Sequence, residues 1–196
     1  YLDQIYKINE RMTSLVHDML FVIRMEDNTA QAKRERVPLA TLFKALAEST
    51  HDAAKSKQIT IKFPKVDDSA IEADLIFLRS ILECLLSNAI NYSKTGSEVV
   101  IDTESRPDEF VFVVKDSGIG IPKDEQKQIF SRFYRASNAK TFDTHGTGLG
   151  LYIAAMLAKK IGGNISFEST EGNGSTFLVH IPYPKTEELQ KNASSI

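Results

Sequence analysis

The chain has 196 residues, 42% of them apolar, and a formal net charge of −2 from 24 Lys and Arg against 26 Asp and Glu. At about 150 residues per domain this is one or two domains, long enough to bury a core without covalent staples. The near-neutral balance excludes a nucleic-acid binder that works through a basic face, and a single cysteine, Cys84, excludes an internal disulfide framework and fits a reducing compartment.

The first 27 residues place Ile5, Ile8, Met12, Leu15, Met19 and Val22 at alternating steps of three and four, the seam of a heptad pattern. Val16, Leu20 and Ile23 widen the stripe, as a helical bundle requires. Two readings stand here: a surface helix packed on its own domain, or one arm of a bundle whose other helices lie elsewhere. The chain opens on Tyr1, inside this pattern, so a fragment of a longer protein is expected. No apolar run approaches the roughly 20 residues that span a bilayer, which says nothing about the parent protein.

Residues 26–36 are polar and aperiodic and read as a linker. A helix is expected from Leu39 to Lys55, a strand over Ile59 to Phe63, and a second helix from about Asp74 to Tyr92. Strands over Glu98 to Thr103 and Phe110 to Lys115 follow, then a short helix from Pro122 to Phe130. A further helix spans Gly148 to Ile161, and two strands, Asn164 to Ser169 and Ser175 to Ile181, pair through residues 170–174. The pattern predicts helices layered on one face of a mixed sheet.

Three segments carry candidate chemistry. Asn88 sits late on the second core helix; its amide oxygen suits a hard cation such as Mg²⁺, although a plain helix residue reads equally well. Asp116-Ser-Gly118-Ile-Gly120-Ile121 follows a strand, so its carboxylate can accept from an exocyclic amine while the glycines permit close backbone approach. His145-Gly146-Thr147-Gly148-Leu149-Gly150 enters a helix, where free N–H groups favour phosphate. It has neither the P-loop spacing nor the dinucleotide fingerprint.

In this order and spacing, with Ile129-Phe130-Ser-Arg132-Phe133-Tyr134-Arg135 between the last two segments, the chain resembles the catalytic, ATP-binding domain of sensor histidine kinases. That family shares a superfamily with gyrase, MutL and the ninety-kilodalton heat-shock chaperone. The resemblance covers residues 37–184, and residues 11–20 look like the second helix of the dimerisation and phosphoacceptor hairpin. It implies an α+β fold, a two-layer α/β sandwich (the Bergerat ATP-binding fold) with a mixed, mostly antiparallel sheet, preceded by a long amphipathic helix. It divides the chain into the hairpin helix at 1–27, a linker at 28–36, the ATP-binding domain at 37–184 and a polar tail at 185–196.

The resemblance also implies ATP and Mg²⁺ as cofactors and transfer of the γ-phosphoryl group to a histidine. Asn88 would ligate Mg²⁺, Asp116 would read the adenine amine, and Tyr92 would pack near the base. Gly118, Gly120 and Ile121 would shape the base pocket, with Asn91 and Arg135 near the phosphates. Phe130 and Phe133 would anchor a mobile lid, and His145, Gly146, Thr147, Gly148, Leu149 and Gly150 would bind phosphates or hinge that lid. Implied partners are a response-regulator receiver domain and a second copy through the bundle, with no nucleic acid. The implied location is cytoplasmic, with a membrane reached only through a missing N-terminal part.

Three positions depart from the family pattern. None of His17, His51, His145 and His180 has the phosphoacceptor context, so the acceptor is expected outside this chain. Cys84, one turn before Asn88, stands where the kinases commonly have Asn and the related ATPases a water-activating Glu. Asn91 stands where a basic residue is common; Lys94, Arg132, Arg135 or Lys140 are candidates to compensate. These departures keep two alternatives open: a nucleotide-binding regulatory module without kinase activity, and a superfamily ATPase.

Overall fold

The computed structural model describes residues 2–26, 32–64, 69–142 and 146–184. The linker at 28–31, the tail at 185–196 and His145 lie outside the described residues. Helix α1 (Leu2–Glu26) leads into strand β1 (Glu35–Pro38), helix α2 (Leu39–Ser56), and strands β2 (Thr60–Lys62) and β3 (Ala70–Ala73). Helix α3 (Leu75–Tyr92), strands β4 (Glu98–Ser105) and β5 (Glu109–Asp116), helices α4 (Ser137–Phe142) and α5 (Gly150–Lys160), and strands β6 (Asn164–Thr170) and β7 (Gly174–Pro182) follow.

Five strands form one sheet in the order β2-β4-β5-β7-β6. Only β2–β4 is parallel; β4–β5, β5–β7 and β6–β7 are antiparallel. Along β7 buried and half-buried residues alternate, so Phe177, Val179 and Ile181 face the core, the pattern of a sheet covered on one face. Against that face lies α3, flanked by α2 and α5. Its Leu78, Ile81, Leu82, Leu85, Leu86 and Ile90 are all buried, each contributing about 1.5–3 kcal/mol of transfer free energy. By length and composition α3 would also suit a membrane span, but here that apolar character is a core face. Asp74 starts α3: Oδ1 accepts from Phe77 N (2.9 Å), and Oδ2 accepts from Lys33 N (2.8 Å), which ties the entering chain to the core. At the far end Lys57 donates to the carbonyls of Ile90 and Asn91, a cation on orphan C-terminal acceptors.

The predicted mixed, mostly antiparallel sheet under helices is therefore observed, with three local differences. Residues 35–38, read as linker and helix start, pair with Ala70–Ala73 as a two-stranded ladder; each strand is four residues long, too short for an alternation to register. The helix expected from Pro122 to Phe130 is only a 3₁₀ turn at Gln126–Gln128. Among its side chains only Pro122 and Ile129 are buried, and Gln126 donates instead to the carbonyls of Ile121 and Ser169. Conversely, α4 forms within a polar run that shows no helical stripe, and none of its residues is buried.

The N-terminal stripe divides into a buried and an exposed part. Phe21, Val22 and Met25 pack on the domain's own core, while Ile5, Met12, Val16, Met19, Leu20 and Ile23 are exposed. The side chain of Ile8 lies outside the described residues.

Candidate functional site

Along α3, residues 84, 88 and 92 recur every fourth position, so Cys84, Asn88 and Tyr92 stack on one face over about 12 Å at 1.5 Å per residue. All three line a cavity of about 390 Å³, within the range of small-molecule sites. The Cys84 end meets α5: a Cβ placed on Gly150 would come 3.1 Å from the Cys84 sulfur. The Tyr92 end meets the turn after β5: Ile119 N donates to the Tyr92 carbonyl (3.1 Å).

Asp116, at the last position of β5, is 8% exposed. Its Oδ1 accepts from Gly118 N (2.8 Å) and Ser175 N (3.2 Å). These two donors fix the carboxylate, and among the described residues Oδ2 receives no hydrogen bond. Burial pushes the Asp116 pKa above the ordinary carboxylate value, and the two backbone donors oppose that rise. Gly118 and Gly120 let the turn lie against other backbone: a Cβ would come 2.4 Å from the Tyr92 oxygen at Gly118 and 2.1 Å from the Thr170 oxygen at Gly120.

The glycine-rich segment forms the wall near α5. Arg135 braces it, donating to the carbonyls of Gly146 and Ala139 (both 3.2 Å). Gly148 has φ +75 and packs on the Phe133 backbone. Thr147 Oγ1 receives Leu149 N (3.3 Å) at the start of α5 and donates to Asp18 Oδ2 of α1 (3.0 Å). The segment between the two motifs is tied by Glu125, which accepts from Ser137 N (2.8 Å), Ser137 Oγ (2.5 Å) and Tyr134 OH (3.0 Å). The Ser137 hydroxyl bond, above all, holds the Glu125 carboxyl below its ordinary pKa.

Of the expected residues, Asn88, Tyr92, Asp116, Gly120, Ile121, Arg135, Gly146, Thr147, Gly148 and Gly150 line the cavity. Gly118 and buried Leu149 stand behind the wall. Asn91 is exposed and not itself in the lining, but donates to Ser87 Oγ of a lining residue (3.3 Å). Phe133 is 54% exposed with φ +60, whereas Phe130 packs edge-on against Phe167 at 5.8 Å. The sequence reading missed Asp18, Asn138 and Ser175 as cavity residues. Asn138 Nδ2 donates to the Gly120 carbonyl (3.0 Å), and among the described residues its buried Oδ1 has no partner. Its position two residues past Ala136 in a polar run gave no signal; Ser175, one residue past a glycine at a strand start, gave a weak one.

Cys84 is a wall residue. Burial, with the Asp18 charge second, pushes its thiol up to about 12, so its thiolate fraction at neutral pH is on the order of 10⁻⁵. In the folded chain at pH 7.5, Cys84 is expected to resist iodoacetamide and to react at an ordinary rate once unfolded in guanidinium. Fast alkylation of the folded chain would contradict this environment.

Residues 73–185 match the family model of histidine kinase-, DNA gyrase B- and HSP90-like ATPases. The chain belongs to this family. It is 30% identical over 177 residues, 90% of its length, to sensor protein SrrB of Staphylococcus aureus strain NCTC 8325 / PS 47. It spans only about 30% of that relative. Among solved structures, full-length ShkA in complex with AMPPNP matches at TM-score 0.77 and 26% identity, over 95% of this chain and 39% of that one. The nucleotide-free catalytic domain of histidine kinase ThkA matches at TM-score 0.66 and 26% identity, over 78% of this chain and 99% of that one. Within the family, the chain is thus the ATP-binding catalytic domain of a sensor histidine kinase.

Proposed function

We propose that this domain binds Mg²⁺-ATP in the α3–α5 cavity and that its parent protein transfers the γ-phosphoryl group to a histidine outside this chain. One observation carries the reading most: a carboxylate locked by two backbone donors, Asp116, at the Tyr92 end of a 390 Å³ cavity. The glycine-rich helix entry closes the Cys84 end, about 12 Å away along α3. An adenine amine donates to Asp116 at one end, while phosphates meet the N–H groups that open α5 at the other.

The donor set at that second end fits a hard cation. Asn88 turns its amide nitrogen toward Cys84 Sγ (3.9 Å), which leaves its oxygen for the ion, and Ser87 is a further lining residue. The thiol of Cys84 is too soft to serve Mg²⁺. When bound, Mg²⁺ neutralises charge on the phosphates. Asn88 orients the phosphate end, Arg135 holds Gly146 in place, and α4 with the turn at Glu125 forms the movable cover that excludes water.

The division into 1–27, 28–36, 37–184 and 185–196 belongs to this reading, as do a response-regulator receiver domain as partner and a cytoplasmic location. The exposed stripe Ile5, Met12, Val16 and Ile23 supports a second copy packing on α1 through a bundle.

The test is full-length parent protein incubated with γ-labelled ATP, beside titration of this chain with ADP and AMPPNP. Acid-labile, alkali-stable label on the protein is the expected result. Nucleotide binding without any label would make the domain a regulatory module, and steady phosphate release without label would make it an ATPase.

A further inference from the structure

Helix α1 reaches into the cavity wall. Asp18, half-buried on α1, accepts from Thr147 Oγ1 at 3.0 Å and lines the cavity together with Cys84, Ser87 and Asn88. It lies outside residues 73–185, the part of the chain that the family model matches.

Its charge is out of place for a site that takes a polyphosphate. Among the described residues, the cavity is lined by two carboxylates, Asp18 and Asp116, and one cationic side chain, Arg135. Asp116 is fixed by Gly118 N and Ser175 N near Tyr92. Arg135 is committed to the carbonyls of Gly146 and Ala139. A nucleotide whose phosphates lie beside Thr147 therefore meets Asp18 anion to anion, unless a cation stands between them. Mg²⁺ is held by one or two carboxylates together with phosphate oxygens and waters. Asn88 supplies a neutral oxygen only, and Cys84 supplies none.

Resting on the assignment of this cavity to a nucleotide, we propose that Asp18 is the carboxylate ligand of the phosphate-borne divalent cation, reaching across from α1 to share it with Asn88. Asp18 then selects the Mg²⁺-complexed nucleotide over the free one. It also links α1 to the state of the pocket: whatever Mg²⁺-nucleotide gains from Asp18, α1 gains in docking.

Calorimetric titration of the 196-residue chain with ADP, in Mg²⁺ and in EDTA, tests this in wild type and Asp18→Asn. Mn²⁺ relaxation of water protons reads the ion's surroundings directly. Wild type is expected to bind ADP more tightly in Mg²⁺. Asp18→Asn should bind ADP in EDTA at least as well as wild type, and lose about tenfold or more of the Mg²⁺-dependent gain, with a changed relaxation enhancement. A full Mg²⁺ gain in Asp18→Asn overturns the proposal. So does equal tightening with and without Mg²⁺, which would make Asp18 a mere competitor of phosphate. Loss of binding in EDTA as well would make it a fold residue, again overturning the assignment. Wild type that binds ADP without a Mg²⁺ effect sinks the Asp18 role alone; wild type that binds no ADP sinks the nucleotide reading itself.

Discussion

Asp116→Asn is expected to weaken ADP binding by about 30- to 1000-fold while leaving the fold intact. The Asn oxygen still accepts from Gly118 N and Ser175 N, as Asp116 Oδ1 does. The second position becomes an NH₂ group and meets the adenine amine donor to donor. A hydrogen bond to a charged group contributes about 1.5–3 kcal/mol and an unmet buried donor costs about 1 kcal/mol more, which at about 1.4 kcal/mol per decade is about 60- to 700-fold, inside that range. Asp116→Ala is expected to lose binding and stability together, because it leaves both backbone N–H groups without an acceptor. GDP, which presents an acceptor where ADP presents the amine, should bind at least about 10³-fold more weakly than ADP, since a site built around one hydrogen-bond polarity rejects the reverse. Calorimetry with both nucleotides, beside thermal melts, checks these outcomes; Asp116→Asn binding ADP as wild type does would remove Asp116 from the base site.

The pH dependence has a definite sign. Burial raises the Asp116 pKa above the ordinary carboxylate value. A raised folded pKa contributes stability that is complete below the unfolded value and is lost as pH rises through the folded one. At neutral pH the empty domain therefore bears the cost of an ionised buried group, and Asp116→Asn should melt no lower than wild type. Binding runs the other way: ADP needs the ionised form, so affinity should fall as pH drops through the raised pKa, earlier than an ordinary carboxylate would give. This acid limb should be missing in Asp116→Asn. A functional group held at the expense of stability is the usual compromise at active sites.

The large periodic elements were legible because their patterns coincide with burial. The apolar face of α3 and the alternation in β7 are visible as residues and reappear as the two sides of one core. Asn88, Asp116 and the glycine-rich run, which line one cavity, were marked by their order and spacing together, since each motif alone is ordinary. What escaped were long-range contacts between ordinary residues. Nothing local marks Asp18 as a neighbour of Thr147, 129 positions away, or Asn138 as a neighbour of Gly120. The four-residue ladder β1–β3 escaped because its order comes from pairing, with only Val37, Ile71 and Ala73 buried. Phe133, expected as a lid anchor, is more than half exposed, and it is its backbone against which Gly148 packs.

The glycines of the two motifs should separate sharply by what they support. Gly120→Ala puts a Cβ 2.1 Å from the Thr170 carbonyl oxygen at φ +61. Left-handed strain costs about 1–3 kcal/mol and overpacking about 1–3 more, together a large share of the 5–15 kcal/mol that holds a typical domain. The obstacle is backbone on both sides, since Ile119 bonds to Tyr92 O through its N and receives Gly172 N on its carbonyl. No side-chain rotation can relieve it. Gly146→Ala meets the guanidinium of Arg135 first, at 3.1–3.3 Å, a side-chain end that can swing aside for about 0.5–1.5 kcal/mol, the scale of an off-rotamer side chain. Yet that swing breaks the bonds from Arg135 to Gly146 and Ala139, the brace between the glycine-rich segment and α4. Gly120→Ala is therefore expected to melt far below wild type and to lose ADP binding only because it unfolds. Gly146→Ala is expected to melt near wild type and to bind the ATP analogue about tenfold more weakly, the consequence of losing one braced wall worth about 1.4 kcal/mol. Thermal melts and AMPPNP titrations on the same two proteins decide it, and a Gly120→Ala chain as stable as wild type would mean that the turn after β5 is held by something other than its packing on α3 and the β6–β7 turn.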